Sequence, residues 1–345
     1  MRQLTVVDKR RLEWLDAPEP KLQGSGEAIV RPLAVATCDL DREIVRGTTP
    51  FPLPIALGHE CIGEVTDVGD DVTAISAGDV VAIPFQISCG TCDACREGRT
   101  GNCATVPFLS MYGFGAAGGD WGGALSDVVR VPYAEHMLVP LPAGVEPAAV
   151  ASVGDNISDA WRTVAPHLEA RPGASVLVVG GGAWSIGLYA AGIAVALGAE
   201  QVDYMDSAPD RLERAGRLGA TPVPVDDENR ERPGRYDVTV DASGEHPGLR
   251  TALRATAPDG VCTSVSIFFE EETPLPLFEM YSKCVTFHTG RCHARPAMPR
   301  ALELVSRGKL QPGLVTKAIV PWEEAAEALR AHEGKHVVVR ASQTG

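Results

Sequence analysis

The sequence predicts an α/β protein in which an irregular β-rich domain is joined to a doubly wound parallel sheet. Two patterns predict this fold class. Up to about residue 150, short apolar strands such as GEAIVRPLAV and CIGEVTDVG are interrupted by glycine and proline. From there to about residue 290, apolar strands alternate with alanine-rich helices, as a parallel sheet requires.

The change of pattern sets the expected domain boundaries in a chain of 345 residues, which is long enough for about two domains. Residues 1–152, completed by residues 292–345, form the first domain, and residues 153–291 form the second. In the second domain the strand SVLVVG, an apolar helix and the strand QVDYMD begin a repeated β-α-β pattern. A helix near residues 322–331 precedes the final strand, HVVVRA.

Charge and apolar runs restrict the classes of partner. The chain carries 31 basic and 45 acidic residues, a net charge of −14, so nucleic acid and anionic membranes are not expected partners. The N-terminal MRQLTVVDKR lacks the apolar core of a signal peptide. The apolar run at residues 186–199 is too short to span a bilayer. We expect a cytoplasmic protein that acts on a small molecule.

Four of the nine cysteines are clustered in the pattern C-x2-C-x2-C-x7-C, formed by Cys89, Cys92, Cys95 and Cys103. Clustered cysteines in a cytosolic chain indicate a metal site rather than disulfides. Four thiolates leave a zinc ion no open position, which is typical of a structural site. The alternatives are an iron–sulfur cluster and four unrelated thiols.

Cys38 and His59 lie at the ends of expected strands in the β-rich part. A catalytic zinc has three protein ligands and one open position, and these residues would supply two of the ligands. Taken alone the pair is weak evidence, because a single cysteine and a single histidine are more often core residues.

A glycine-rich turn joins the strand SVLVVG to the helix that follows it. Backbone N–H groups of such a turn and the helix N-terminus face a pyrophosphate in dinucleotide-binding folds. The expected contacts are Gly180, Gly182, Trp184, Ser185, Ile186 and Gly187. Either the first two glycines open the turn with a small insertion, or Trp184 replaces the middle glycine of G-x-G-x-x-G.

About 20 residues after the turn, the next strand ends in Asp206. An acid at this position hydrogen-bonds the ribose 2′-hydroxyl of the cofactor. Because a carboxylate repels a 2′-phosphate, NAD(H) is favoured over NADP(H). The alternative is a solvated acid at a strand end.

The order of these motifs resembles the zinc-dependent medium-chain alcohol dehydrogenases over nearly the whole chain. GHE in a β-rich domain precedes a four-cysteine loop and a nucleotide-binding half. The resemblance implies a GroES-like catalytic domain and a Rossmann cofactor domain. It also implies an NAD-dependent oxidoreductase with two zinc ions per subunit that forms a homodimer or homotetramer.

The resemblance assigns roles in the first domain. The family's C-x-x-D and GHE motifs map onto Cys38 and His59 as ligands of the catalytic zinc. Asp41 would hold the histidine ring by a hydrogen bond, and Glu60 would be a neighbour that can exchange onto the metal.

The third ligand lies just before the cofactor domain in the family, where VASVGDNISDAW offers two acids. Asp155 matches the position, and Asp159 is the alternative. Asp155 would otherwise be only the N-cap of a helix over residues 157–165.

Three further positions carry a cofactor role by resemblance. Arg211 follows Asp206 where the family often has a basic residue beside the adenosine ribose. The DASG loop, with Ala242 and Ser243, resembles the family's loop over the cofactor.

The chain departs from the family at the proton relay. Leu40 stands where the family has a Ser or Thr that takes the substrate's proton, and Glu43 stands where some members have a relay histidine. Asp159 occupies the usual position of a threonine beside the nicotinamide. Another acid, Asp39, Glu43 or Asp159, must then relay the proton, or the reaction differs. Phe85 resembles a pocket residue of the family.

Three functions compete at this point. The leading hypothesis is zinc-assisted hydride transfer between NAD(H) and an alcohol, aldehyde or ketone. The second is NAD(P)H-dependent reduction of a C=N or C=C bond, and the third is a non-catalytic nucleotide-binding protein. Zinc content separates them, since two ions per chain favour the first.

Overall fold

A computed structural model describes residues 1–226, 233–330 and 334–341. These residues form two compact units, called here the first unit and the second unit. The first unit comprises Met1–Ser158, Cys292–Ser306 and the described part of Thr316–Gly345. The second unit comprises the described part of Asp159–Arg291 and Arg307–Val315.

The strands and helices are numbered in chain order. The strands are β1 Arg2–Asp8, β2 Arg11–Asp16, β3 Ala28–Ala36, β4 Ile55–Ala56, β5 Glu60–Val68, β6 Val80–Ile83, β7 Val129–Val131, β8 Val139–Pro140, β9 Val176–Val179, β10 Val202–Asp206, β11 Thr221–Pro224, β12 Tyr236–Asp241, β13 Thr256–Ser264, β14 Thr286–His288, β15 Thr316–Pro321 and β16 Lys335–Val339. The α-helices are α1 Asp39–Arg46, α2 Asp93–Arg96, α3 Ala134–Met137, α4 Pro147–Val150, α5 Asn156–Ala170, α6 Trp184–Ala196, α7 Pro209–Arg217, α8 His246–Ala255, α9 Leu277–Lys283, α10 Ala294–Ser306 and α11 Ala325–Arg330.

The first unit contains an irregular set of sheets. β2, β1 and β4 form a small antiparallel sheet, and a larger mixed sheet has the order β15-β16-β3-β5-β6-β8, with β7 also pairing with β3. Leu4, Val30, Ile55 and Val81 belong to a core with no or almost no solvent exposure. The predicted β-rich domain is therefore confirmed.

The second unit contains one parallel sheet with the order β11-β10-β9-β12-β13-β14. The chain adds β10 and β11 on one side of β9, and then returns to add β12, β13 and β14 on the other side. The boundary between β9 and β12 is therefore the topological switch point, where such sheets bind ligands. All four residues of β9 are buried, as expected for a parallel strand covered on both faces. The predicted doubly wound sheet is confirmed.

Helix boundaries differ from the sequence predictions by a few residues. The helix predicted at 157–165 runs over Asn156–Ala170, and the helix predicted within 186–199 runs over Trp184–Ala196. The helix predicted at 322–331 is a 3-10 turn followed by α11, and its predicted last residue, Ala331, lies outside the described residues. Within the described ranges, no helix is long and apolar enough to cross a membrane.

Candidate active site and cofactor-binding loop

The register of β3 and β5 brings Cys38 and His59 together. The strands are antiparallel, with Ala36 opposite Glu60. Cys38 lies just after the end of β3 and His59 just before the start of β5, so both side chains belong to the same edge of the sheet. Helix α1 follows Cys38 directly and ends at Gly47, whose φ of 69° is the left-handed conformation of many helix C-termini.

Asp155 reaches the same edge through a close backbone contact. The backbone N–H of Phe85 donates to the carbonyl of Gly154 at 3.1 Å. A Cβ on Gly154 would lie 2.2 Å from the carbonyl oxygen of Ile83, so only glycine allows this approach. Of the two acids that the sequence offered, Asp155 is the one placed beside Cys38 and His59.

The donor atoms have the spacing of a metal site. His59 Nε2 lies 3.4 Å from Asp155 Oδ2, and Cys38 Sγ lies 3.9 Å from the same oxygen. One donor atom each from Cys38, His59, Glu60 and Asp155 lie within 4.8 Å of one another. Zn–N and Zn–O bonds of about 2.0–2.2 Å place two tetrahedral ligand atoms about 3.4 Å apart. We call these four residues the Cys38 cluster, and its sulfur, nitrogen and oxygen donors fit zinc.

Asp41 touches both Cys38 and His59. Its Oδ2 accepts the backbone N–H of Cys38 at 2.8 Å, and its Oδ1 faces His59 Nδ1 at 3.4 Å. Neither Oδ1 nor Nδ1 has a hydrogen-bond partner among the described residues. The expected hydrogen bond to the ring is thus replaced by an ion-pair contact that is longer than the usual N–H···O distance of about 2.9 Å. Asp41 still aligns the ring so that Nε2 faces Asp155.

Burial and charge shift the pKa values of the cluster. Burial raises the pKa of Cys38 to about 11. Burial also raises the pKa of Glu60 to about 7, against the opposing charge of Lys335. Burial alone would lower the pKa of His59, but the carboxylates of Asp41 and Asp155 hold it well above its usual range. Since metal ligands bind deprotonated, metal binding at this cluster releases protons.

The four-cysteine loop, residues 89–103, forms a second group of donors. Cys89 Sγ lies 4.0 Å from Cys95 Sγ, and Cys92 Sγ lies 3.9 Å from Cys103 Sγ. Zn–S bonds of about 2.3 Å place two sulfurs of a tetrahedral site about 3.8 Å apart. The loop can therefore hold a zinc ion with four protein ligands and no open position.

Local donors stabilise the thiolates of this loop. Cys89 Sγ accepts hydrogen bonds from the Thr105 hydroxyl at 3.1 Å and from the backbone N–H groups of Thr91 and Cys92 at 3.4 Å. Burial would raise the pKa of Cys89, but these hydrogen bonds lower it to about 5. A cysteine that ionises this readily is prepared to bind a metal.

Apolar side chains adjoin the Cys38 cluster. Leu40, in the first turn of α1, packs against the core of the first unit. The His59 ring packs beside two aromatic rings, with ring centroids 6.1 Å from Phe85 and 5.1 Å from Phe114. Phe114 was not predicted from the sequence, because its YGFG context carries no metal or cofactor signal.

The three acids considered as proton relays are each paired with an arginine three residues later. Asp39 pairs with Arg42 at 2.8 Å and Glu43 pairs with Arg46 at 2.7 Å. Asp159, in the second unit, pairs with Arg162 in the same way. Each carboxylate is thus held by a neighbouring arginine, which opposes a role as a mobile proton carrier.

The glycine turn of the second unit packs against the loop that follows β12. Gly182 N–H donates to Ser243 O at 2.5 Å, and Ala183 N–H donates to Ala242 O at 3.0 Å. A Cβ on Gly181, whose φ is 153°, would lie 2.4 Å from Ser243 O. Because these two amides are used within the protein, the N-terminus of α6 at Trp184 is the part of the turn that would face a pyrophosphate.

The remaining residues expected at the cofactor lie on the same turn and helix. Gly180 directly follows β9, and Ser185, Ile186 and Gly187 belong to the first turn of α6. Gly187 is buried, and a Cβ there would lie 3.1 Å from the Cβ of Ala242. The close contact of α6 with the end of β12 depends on this glycine.

Asp206 lies at the end of β10 and is almost fully buried, so it is not a solvated strand-end acid. Its carboxylate accepts the Tyr204 hydroxyl at 3.0 Å and the Ala208 N–H at 2.9 Å, and Arg211 Nη1 lies 3.4 Å away. The Arg211 guanidinium also lies over the ring of Trp184. The glycine turn, Asp206 and Arg211 together fit the adenosine half of a nicotinamide dinucleotide.

Besides Phe114, two buried polar residues beside the Cys38 cluster were not predicted from the sequence. Asn156 is completely buried and contacts both Cys38 and Asp155, and Lys335 is completely buried and lies 2.7 Å from Glu60 Oε2. Asn156 follows Asp155 directly, so its position was a usable signal. Lys335 is far away in sequence and gave none.

Two family models match the chain. The alcohol dehydrogenase GroES-like domain matches residues 24–143 of the first unit. The zinc-binding dehydrogenase domain matches residues 185–307, which contain the glycine turn and most of the parallel sheet. Both metal candidates in the first unit and the glycine turn in the second agree with this combination.

Individual relatives agree with the family models. The chain is 30% identical to zinc-type alcohol dehydrogenase B of Aspergillus flavus, over 95% of this chain and 77% of that protein. It is 36% identical to a glutathione-independent formaldehyde dehydrogenase of Pseudomonas aeruginosa, over 63% of this chain and 57% of that protein. The solved alcohol dehydrogenase of Thermus sp. ATN1 is 31% identical with a TM-score of 0.89, over 99% of this chain and 100% of that one.

The fold and the matches define a medium-chain dehydrogenase. More particularly, the chain belongs to the zinc-type alcohol dehydrogenase family and is an oxidoreductase of that type. The family predicted from the motif order is confirmed.

Proposed function

We propose that this protein transfers hydride between NAD(H) and an alcohol or the corresponding aldehyde or ketone, with one catalytic and one structural zinc ion per chain. The observation that carries the proposal is the Cys38 cluster, whose sulfur, nitrogen and oxygen donors lie within 4.8 Å of one another. A bound zinc would supply a Lewis acid, and a bound nicotinamide would supply the hydride acceptor or donor.

The roles of the protein's own residues follow from their contacts. Cys38, His59 and Asp155 would hold the metal, and Asp41 orients the histidine ring. Phe85 and Leu40 present apolar surface beside the cluster, which favours substrates with an apolar group next to the reacting carbon. Because the chain is similar to a formaldehyde dehydrogenase, we include small aldehydes among the substrates to be tested.

A second candidate function is NAD(P)H-dependent reduction of a C=N or C=C bond. Leu40 has no proton to move, and the three candidate acids are paired with arginines. A reaction that does not end on an alcohol oxygen would not require the missing relay. This candidate rests on the relay region alone and leaves the proposed ligand set unchanged.

The test combines metal analysis with an activity panel. Zinc is counted in the purified protein and in Cys38→Ser, and NADH absorbance is followed with ethanol, benzyl alcohol, secondary alcohols, formaldehyde and an imine. We expect two zinc ions per chain in the wild type, one in the variant, and turnover of at least one alcohol–carbonyl pair. A wild type with one zinc, held by the four-cysteine loop, would rule out the catalytic zinc. Turnover of the imine alone would favour the second candidate.

A further inference from the structure

Asn156 opens α5 directly after Asp155 and is completely buried. Its amide nitrogen donates to Asp155 Oδ2 at 2.8 Å and lies 3.4 Å from Cys38 Sγ. A single NH₂ group therefore contacts two of the three proposed ligand atoms. These two atoms come from chain segments that are 117 residues apart.

The other end of the same amide contacts Lys335. Asn156 Oδ1 accepts a hydrogen bond from Lys335 Nζ at 2.9 Å. The ammonium also donates to the carbonyl of Thr37 at 2.7 Å and lies 2.7 Å from Glu60 Oε2. Lys335 and Glu60 have no exposed side-chain surface, so this network is sealed from solvent.

The chemistry of the ammonium decides the orientation of the amide. Lysine has only donors, so the oxygen of Asn156 must face Lys335 and the NH₂ group must face the cluster. An N–H group that points at a thiolate and a carboxylate stabilises both anions and restricts their positions. A buried polar network in which both ends are occupied holds its members rigidly.

The network also restrains Glu60. Its carboxylate is close enough to join the ligand atoms of the cluster, yet its Oε2 forms a buried ion pair with Lys335. Moving Glu60 to a metal would leave a buried ammonium without its carboxylate, which is costly. Lys335 in turn keeps its position through Asn156 and Thr37.

We propose that Asn156 is a positioning residue of the metal centre. Its NH₂ group fixes the Cys38 and Asp155 donor atoms in the ligand arrangement, and its oxygen fixes the lysine that keeps Glu60 out of that arrangement. This inference rests on the proposed function, because it requires a metal at Cys38, His59 and Asp155.

The test uses two substitutions of Asn156 and one control. Asn156→Asp keeps the shape and the acceptor for Lys335 but replaces the donor with an oxygen. Asn156→Ala removes both the NH₂ donor and the oxygen that accepts from Lys335. Thr163→Val is the matched control, since it removes a buried hydroxyl from the same helix that donates to the carbonyl of Ala160.

The measurements are zinc affinity by chelator competition, the visible spectrum of the cobalt-substituted protein, and kinetics. The spectrum of cobalt-loaded Cys38→Ser is subtracted to remove the contribution of cobalt bound at the four-cysteine loop. Loss of a group that orients metal ligands typically weakens metal affinity or activity by about 10–100-fold. We expect a loss of this size in zinc affinity for Asn156→Asp and Asn156→Ala, with a shifted cobalt spectrum and a lower kcat. The KM for NADH should stay within about twofold, because Asn156 lies at the metal ligands.

The outcomes separate this inference from the proposed function. A wild type without a second zinc refutes the proposed function. A wild type with two zinc ions, whose Asn156 variants keep the wild-type affinity and cobalt spectrum, refutes only the inference. An equal loss in Thr163→Val shows general destabilisation and also refutes it. If neither Asn156 variant is soluble, Lys335→Met removes the group that orients the amide and is judged by the same criteria.

Discussion

The four-cysteine loop and the Cys38 cluster are two candidate metal sites of one unit, and they are built in opposite ways. The loop takes its four ligands from residues 89–103, and backbone N–H groups of the same residues stabilise the sulfurs. The cluster joins the end of β3, the start of β5 and the start of α5, and buried side chains surround its donors. The loop depends on local turns and the cluster on long-range packing.

Because of this difference, we expect the loop to contribute to stability and the cluster to contribute to catalysis. A site with four ligands close together in sequence can form whenever the loop closes around the ion, and its contribution is to hold that part of the fold. A site assembled from distant segments forms only in the finished fold, and it can keep a position open for a substrate. Removing a ligand should therefore damage the fold in the loop and the activity in the cluster.

The largest expected effect is loss of the folded protein in Cys103→Ser. Structural zinc contributes about 10 kcal/mol or more of apparent binding free energy in small zinc domains. Losing even a few kcal/mol lowers the melting temperature by about 10 °C in a domain of this size. Soluble yield and thermal melting measure the effect. Cys284→Ser, which removes an exposed thiol, is the control and should melt like the wild type. Normal melting of Cys103→Ser would show that the loop carries no structural metal.

The next effect is loss of activity without loss of the fold in Cys38→Ser. Lewis-acid catalysis is worth several kcal/mol, so kcat/KM should fall by about 10³-fold or more. Zinc content should fall from two ions to one, and the melting temperature should change by only a few degrees. If Cys38→Ser aggregated as much as Cys103→Ser, the proposed difference between a structural and a catalytic site would be contradicted.

A smaller effect tests the missing relay beside the cluster. Leu40→Thr places a hydroxyl where the family has one, and a positioned proton acceptor typically contributes about 10²–10⁴-fold. We expect ethanol and benzyl alcohol to be poor substrates of the wild type and kcat to rise by at least about 10²-fold in the variant. Leu40→Val is the control, because valine has the shape of threonine without its hydroxyl. A normal rate for the wild type, unchanged by Leu40→Thr, would show that the relay is dispensable.

A further prediction concerns Asp206 in the proposed cofactor site. Like the four-cysteine loop, this site is built from a short stretch of sequence, from the glycine turn to Arg211. Asp206→Ser removes a carboxylate near the expected 2′-phosphate position and frees Arg211. A repulsion of about 1–4 kcal/mol between close charges would be relieved, so the preference for NADP(H) over NAD(H) should rise by tenfold or more. KM values for both cofactors measure it. Asp210→Ser, the loss of an exposed neighbouring acid, should leave the preference unchanged. Tighter binding of NADPH than NADH by the wild type would contradict the role of Asp206.

The smallest effect on either metal site is expected from changes at the edge of the second unit. β14 is the last strand of the parallel sheet, and α9 just before it exposes Leu277, Phe278 and Tyr281 by 65–82%. An apolar strand edge favours pairing with a second copy of the chain. We expect a homo-oligomer in sedimentation and a smaller species in Phe278→Glu combined with Tyr281→Glu, with zinc content unchanged. A wild type that is monomeric at micromolar concentration would contradict this.

Much of the fold could be predicted from local patterns. The alternation of apolar strands with alanine-rich helices predicted the parallel sheet, because a repeated β-α-β pattern has few other solutions. The spacing of the four cysteines and the glycine turn are equally local. The helix ends were predicted less accurately, and α5 is five residues longer at its C-terminus than predicted. Local propensity only weakly defines where a helix stops, because packing can extend it.

The sequence by itself determined the fold class, the family, the four-cysteine loop and the candidate ligands Cys38 and His59. Only the tertiary structure decided that Asp155 rather than Asp159 joins them, that Asp206 is buried, and that the relay acids are tied to arginines. Asn156 and Lys335 also emerged only there. For Asp155, Asn156 and Lys335 the physical reason is that their contacts join segments more than a hundred residues apart. They depend on strand register and on the close approach at Gly154, which no local pattern encodes.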